Sequence, residues 1–132
     1  METIQVRTRS RDELLEITAE VRACVRDSGI SDGVVEVYVP HTTAGVTINE
    51  NADPTTEADI LADLDRLIPW RQSYYRHMEG NSAAHFKASL MGASVRVLLQ
   101  GGRLVLGTWQ GIFFCEFDGP RTRKVHVHVS PG

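Results

Sequence analysis

The hydrophobic and polar positions of the chain change period several times, and each change marks an element. Ile4 and Val6 alternate with polar neighbours between Thr3 and Thr8, the period-two pattern of a first strand. Ser10-Arg-Asp-Glu13 has the form of a capping box, and Leu14, Ile17, Val21, Cys24 and Val25 follow at helical spacing up to Gly29. The pattern predicts a helix over that whole stretch. Gly33 to Pro40 is a second strand, with Val35, Val37 and Val39 on one face. After a turn at Gly45, Val46 and Ile48 alternate with Thr47 and Asn49 in a third. Asp53-Pro54 then starts a helix, a carboxylate at the N-cap and proline at the first helical position. Ile60, Leu61, Leu64, Leu67 and Ile68 give it a buried stripe, and Pro69 ends it.

Trp70 to Gly80 shows no period. A short helix is predicted from Gly80-Asn-Ser-Ala-Ala-His85 to Gly92, with Ala83, Phe86 and Leu90 inward and Ser82, His85 and Ser89 as an adjacent polar stripe. The last third is all strand. Ser94–Gln100 and Arg103–Thr108 flank the hairpin signal Gly101-Gly102, and Ile112–Asp118 and Lys124–Val129 flank Gly119-Pro120. Strand, helix, two strands, two helices and four strands make one α+β domain over residues 1–132.

Composition narrows the function classes. With 42% hydrophobic and 23% charged residues the chain of 132 residues is globular, and its formal charge of −3 argues against a nucleic-acid or anionic-membrane surface. No apolar run approaches a membrane span, and Met1-Glu2-Thr3 opens no signal peptide. Cys24 and Cys115 read as small buried hydrophobes of a reducing compartment, so a cytoplasmic protein is expected.

Candidate chemistry gathers in a few stretches. Pro40 to Pro54 carries His41, Thr42, Thr43, Asn49, Glu50, Asn51 and Asp53, and the aperiodic loop crowds Arg71, Tyr74, Tyr75, Arg76, His77 and Glu79 together. His85 suits a proton donor, a phosphate ligand or a metal ligand, against the alternative of a hydrogen-bonded structural histidine. The amide of Asn81 and the small residues after it leave a helix start approachable by an anion. Glu50 and Asp53 suit a Mg²⁺ ion, the other reading of Asp53 being the helix cap. A zinc site from His41, His77 and His85 is the alternative metal, without HExxH or CxxC spacing to support it. Trp109 suits a flat wall for a ring and Gln110 a reader of its polar edge, or Trp109 is a core indole. Glu116 shares a face with Ile112 and Phe114, and is either a site residue or the partner of Arg121 or Arg123 across an interface. His126 and His128 alternate with Val125, Val127 and Val129, which places them on the outer face of a strand and outside the site.

Taken together these segments resemble the YjbQ-like family, whose members are known as secondary thiamine-phosphate synthases. The matching stretches are Pro40-His-Thr-Thr-Ala, Asn49-Glu-Asn-Ala-Asp-Pro54, Tyr75-Arg-His77, Gly80-Asn-Ser-Ala-Ala-His85, Gly101-Gly-Arg-Leu-Val-Leu-Gly-Thr-Trp-Gln110 and, after Glu116, Asp118-Gly-Pro-Arg-Thr-Arg123. The ending His126-Val-His128-Val departs from the family's aliphatic last strand. The resemblance implies an α+β, β-sandwich-like fold of mixed or antiparallel sheets with about three helices, assembled as a homotrimer. It implies joining a hydroxymethylpyrimidine diphosphate to a thiazole phosphate with release of pyrophosphate, an activity regarded as secondary. The motif positions are His41, Asn49, Glu50, Asn51, Asp53, His77, Asn81, His85, Trp109, Gln110 and Glu116. In such a site Lys87, the helix start at Asn81 and Ser82, and Mg²⁺ on Glu50 would meet the charge of the leaving pyrophosphate, with His85 or His77 as acid. A metal-dependent hydrolase of a small phosphorylated compound and a non-catalytic trimeric binding protein remain open beside it.

Overall fold

Two antiparallel sheets stack face to face in the computed structural model, which describes residues 1–132. The strands are β1 (Glu2–Arg7), β2 (Glu13–Glu16), β3 (Gly33–Tyr38), β4 (Ala44–Glu50), β5 (Ser94–Gln100), β6 (Arg103–Leu104), β7 (Gln110–Glu116) and β8 (Thr122–Pro131). The helices are α1 (Thr18–Ser28), α2 (Pro54–Leu67) and α3 (Ser82–Met91). The larger sheet has the order β1-β8-β3-β5-β6 and the smaller the order β2-β7-β4. This is the sandwich-like α+β fold with three helices that the resemblance implies. The period-two residues face each other as expected: Val35, Val37, Val97, Val125 and Val127 from the larger sheet meet Ala44, Val46, Ile112 and Phe114 from the smaller. Val21, Cys24 and Val25 of α1 join this core. A second, smaller core lies on the other side of the small sheet, where Cys115 and Phe117 pack against Ala84 and Ala88 of α3, with Leu61 and Leu64 of α2 beside them. The small sheet is therefore covered on both faces, which explains why β7 is buried at nearly every position.

Three expectations change. The first helix is not one element. Glu13–Glu16 forms β2, pairing Leu14 with Cys115 and Leu15 with Phe114, and α1 starts only at Thr18. The capping box is not made: Glu13 accepts the backbone N–H of Arg9, not of Ser10, at 2.8 Å. The free edge of β7 supplies a ladder that a solvated first helical turn lacks, so tertiary pairing overrides the local signal. Second, α2 has no fully buried residue, and Leu67 is exposed whereas Ile68 is buried.

The third change bears on the site. Helix α3 turns Ala83, Ala84, Lys87 and Ala88 inward, and leaves Phe86 57% and Leu90 59% exposed. The reason is closeness. A Cβ at Gly45 of β4 would lie 2.6 Å from the carbonyl oxygen of Gly92, and Val46 donates its N–H to that oxygen at 3.1 Å. Only a small-residue face lets helix and strand approach so nearly. The termini of β5 and β6 are joined at Gly101-Gly102 as the hairpin signal predicts, though β6 is two residues long. No helix of the structure is long and apolar enough to cross a membrane.

Candidate functional site

The loop before α3, the first turn of α3, the end of β3 and the β7–β8 connection enclose a cavity of about 400 Å³ without a single hydrophobic lining residue. His41, His77, Asn81 and His85 line it, so the structure gathers four of the sequence candidates from three separate stretches. Glu79, Asp118, Arg121 and Arg123 complete its polar wall. None of these four is among the site residues expected from the sequence. Their signals were Glu79's place in the aperiodic loop and the Asp118-Gly-Pro-Arg-Thr-Arg run.

Each imidazole is held differently. The ring of His41 accepts the backbone N–H of Lys124 on Nε2 at 2.9 Å. An accepting nitrogen carries no proton, so the neutral ring keeps its hydrogen on Nδ1. Burial, with the positive charge of Arg123 beside it, holds this imidazole below its ordinary pKa. His41 is thus a fixed, neutral donor. His77 and His85 stand edge to face with ring centroids 5.0 Å apart, one on the loop and the other a turn into α3. His77 and Glu79 also line a neighbouring cavity of about 650 Å³ that includes Trp70, Arg71 and Tyr75, so the two spaces share a wall.

Asn81 does not cap α3 as its sequence suggests. Its side-chain N–H₂ donates to Asp118 at 2.8 Å, and no side-chain cap is made. The first turn closes on the Asn81 carbonyl instead, which accepts the N–H of Ala84 at 3.0 Å and of His85 at 3.3 Å. The oxygen of the same amide is buried without a partner. A buried acceptor in that state favours a donor from outside the chain. Arg121 is anchored through its Nε to the carbonyl of Asp118 at 3.0 Å and lies 3.3 Å from the Asp118 carboxylate.

Behind the cavity stands the ion pair of Glu116 and Arg123, both essentially inaccessible to solvent. The pair lies within one chain, not across an interface. Glu116 Oε1 accepts from Thr8 Oγ1 and from Arg123 Nε, both at 2.8 Å, and Oε2 accepts from the Asp118 N–H at 2.9 Å and from Arg123 Nη2. Burial opposes ionisation of this carboxylate, but the bonds from Arg123, Asp118 and Thr8 outweigh it and hold the pKa below the ordinary range. Arg123 also donates to Thr43 Oγ1 at 2.8 Å, which ties the entry to β4 into the network. Glu116 is therefore a support for the cavity wall, not a ligand contact.

Lys87 is corrected outright. It is fully buried on the opposite side of α3, with Nζ 2.6 Å from Asp12 and 3.3 Å from Asp65. It does not line the cavity and cannot neutralise an anion there. Ser82 likewise is not among the lining residues.

Asn49, Glu50, Asn51, Asp53, Trp109 and Gln110 lie at the far end of β4. That strand is paired with β7 from Ala44 against Glu116 to Glu50 against Gln110, so its two ends are about 20 Å apart at the usual rise per residue. Asn51 donates to Glu16 Oε2 at 2.8 Å, which also accepts from Thr18 Oγ1 at 2.8 Å. A Cβ at Gly111 would lie 2.6 Å from that same oxygen, the close approach that glycine at this point predicts. Gln110 closes its own turn by accepting the N–H of Gly107 at 2.7 Å. Trp109 is 63% exposed and is no core indole.

The metal candidates do not form a cage within the chain. Asp53 Oδ1 accepts both the N–H and the hydroxyl of Thr55, at 2.9 and 2.8 Å, and these bonds hold its pKa low. Asp53 is the cap of α2. Glu50 Oε2 accepts from Thr56 at 3.3 Å. No group of three or more His, Cys, Asp or Glu residues stands in a metal-holding arrangement, the three histidines included. His126 and His128 lie outside any such group; His126 bonds Thr3 at 2.9 Å and stacks on Tyr38. Cys24 and Cys115 are free and buried, and burial pushes both thiols up to about 12, far from a reactive thiolate.

Comparison with known proteins matches this geometry to a family. The family model described as "UPF0047 protein YjbQ-like" matches residues 2–132. UPF0047 protein YugU of Bacillus subtilis is 54% identical over 129 residues, with 98% of each chain covered. UPF0047 protein MJ1081 of Methanocaldococcus jannaschii is 50% identical over 125 residues, covering 95% of this chain and 90% of its own. Among solved structures, a YjbQ/UPF0047 family protein from Clostridium acetobutylicum superposes with a TM-score of 0.96 at 52% identity, over 98% of this chain and 100% of that one. A YbjQ-like protein of unknown function from Sulfolobus solfataricus gives 0.94 at 34% identity, over 99% and 96%. With family model, relatives and fold in agreement over nearly its whole length, the chain belongs to the YjbQ-like UPF0047 family.

Proposed function

We propose that the histidine cavity binds the phosphoryl end of a small phosphorylated metabolite, and that the protein carries out a pyrophosphate-releasing condensation of the thiamine-phosphate-synthase type. The observation that carries this reading is the cavity wall: three imidazoles and the guanidinium groups of Arg121 and Arg123, with the carboxylates of Glu79 and Asp118 among them, around one space with no apolar lining. Such a wall suits an anion whose charge grows as a bond to it breaks. In the reaction a carbon–oxygen bond to diphosphate breaks and a carbon–nitrogen bond to the thiazole forms, the electron pair leaving with pyrophosphate. His41 donates from Nδ1, and His77 or His85 passes a proton to the departing oxygen. The shared wall of His77 and Glu79 between two cavities favours a reaction of two substrates over simple hydrolysis. No step is routed through a metal ion.

The reading includes self-association as a homotrimer. Trp109, Phe86 and Leu90 are exposed apolar groups, and the cluster around Asn51 and Trp109 lies too far from the cavity of its own chain to serve it. A neighbouring chain brings the two ends of β4 together without deforming either.

The test is titration with pyrophosphate followed by an assay for thiamine phosphate from the two half-molecules. His85→Ala is expected to weaken pyrophosphate by about 1.5–3 kcal/mol, the range for a hydrogen bond to a charged group. The fold is expected to survive, because Ala83, Ala84 and Ala88 make the packing contacts of α3. Equal affinities would remove His85 from the site. Binding without any condensation would reduce the protein to a ligand-binding module.

A further inference from the structure

A second concavity, of about 320 Å³, lies between α1 and the β5–β6 hairpin. Arg22 and Arg26 project into it from the exposed side of α1, and Arg103 from the start of β6; Val25 and Leu104 make its floor. We propose that this groove is a binding site for a small phosphate ester, with the three guanidinium groups on the phosphate and an apolar part of the ligand on the floor.

The geometry is built rather than incidental. Gly101 and Gly102 both have positive φ, 59° and 76°, as the tight hairpin between β5 and β6 demands. The hairpin tip is tied to the loop after α1: Gly102 donates to the carbonyl of Ser31 at 2.8 Å, and Gly101 to Asp32 Oδ1 at 3.0 Å. Arg103 therefore starts from a fixed point facing the helix. Val25 is buried in the main core, so the floor does not move either.

None of the three guanidinium groups has a carboxylate within ion-pair distance, a state they share with every arginine except Arg11, Arg96, Arg121 and Arg123; what sets them apart is that all three line one groove. Arg22 and Arg26 are four residues apart on one helix, a like-charge spacing that disfavours the helix. In a chain with 17 acidic residues against 14 basic ones, a groove lined by three arginines and no carboxylate is locally positive against the overall charge. Guanidinium groups present forked N–H donors that match phosphate oxygens, and an anion between them removes the repulsion. The volume lies at the small end of ligand pockets, and a net charge of −3 opposes a long polyanion.

The experiment uses the full chain carrying His85→Ala, which weakens the histidine cavity, with phenyl phosphate as the probe in calorimetric titration. One equivalent is expected to bind, and adding Arg22→Gln, Arg26→Gln and Arg103→Gln is expected to weaken it at least about tenfold, as loss of charged hydrogen bonds requires. The single variant Arg103→Gln, at an exposed hairpin position, is expected to show a smaller loss in the same direction with an unchanged melting curve. Equal affinity with and without the arginines overturns the proposal. So does absence of any binding at millimolar phenyl phosphate, or binding of a short single-stranded oligonucleotide in its place. Failure of the histidine-cavity reading is distinguishable from failure here, because phenyl phosphate held in that cavity is not moved by Arg22→Gln, Arg26→Gln and Arg103→Gln, none of which lines it.

Discussion

Replacing Glu116 with glutamine tests whether the cavity wall rests on the buried ion pair. The carboxylate accepts four hydrogen bonds, two at each oxygen, which fills its acceptor capacity. An amide turns one oxygen into a donor facing two donors, and leaves the Arg123 charge without its counter-ion in a site closed to water. Breaking a buried pair from one side costs about 3–5 kcal/mol, a large part of the roughly 5–15 kcal/mol that a domain has. Urea unfolding of wild type, Glu116→Gln, Arg123→Met and the double variant measures this directly. The double variant is expected to lose clearly less than the sum of the singles, because it strands no charge. Acid dependence gives an independent reading. The folded-state pKa of Glu116 is depressed, so its contribution is fully present above the unfolded-state value and is lost as pH falls through the folded one. Glu116→Gln is expected to flatten that acid limb. A loss under about 1 kcal/mol for Glu116→Gln, or strict additivity in the cycle, would refute the reasoning.

Three further outcomes are expected. Lys87→Met keeps the buried stem and removes the charge beside Asp12 and Asp65; unfolding is expected to show a loss of about 1–3 kcal/mol, with pyrophosphate affinity unchanged because Lys87 is away from the cavity. Replacing His126 and His128 together by threonine is expected to alter stability by less than about 1 kcal/mol and to leave metal content as it was, checked by unfolding and elemental analysis. Light scattering at micromolar protein is expected to give the mass of a trimer, and a monomer there would sink the assembly.

The strands and the α2 cap were legible because their signals are local. Val35-Glu-Val37, Val125-His-Val127 and Asp53-Pro54 carry period or cap within a few residues, and the structure places them as read. β2 was not legible. Its Glu-Leu-Leu-Glu sequence has no strand period, and it is a strand only because β7 offers an edge nearly a hundred positions later. The buried side of α3 was misread for the same kind of reason. Phe86 and Leu90 outrank alanine in hydrophobicity, but the close approach of β4 at Gly45 admits only small side chains, and Lys87 goes inward because Asp12 and Asp65 are waiting 75 and 22 residues away. In the site, His41, His77, Asn81 and His85 were found by residue type, whereas Arg121 was read only as a partner of Glu116 and Asp118 was noticed only as part of the family's motif.

The division of the motif residues between the two ends of β4 follows from the ladder itself. Seven consecutive pairs with β7 fix the strand from the Glu116 network to the Trp109 turn, so no rotamer change carries Glu50 or Trp109 to His85. The residues at the far end already have work in their own chain. Thr18 Oγ1 donates to Glu16 and accepts the N–H of Ile112 at 2.8 Å, and Asn51 bonds the same Glu16 carboxylate, which knits β2, α1, β4 and β7 together. That network explains Asn51, Gly111 and Glu16 without any ligand. It does not explain Trp109, a large indole left in water beside an ordered turn, nor an α3 whose two largest apolar side chains face outward. In the proposed trimer, burying those groups against another copy would remove apolar area from water. A contact that placed the indole beside a neighbour's cavity would account for both exposures at once, with the β4–β7 ladder left intact.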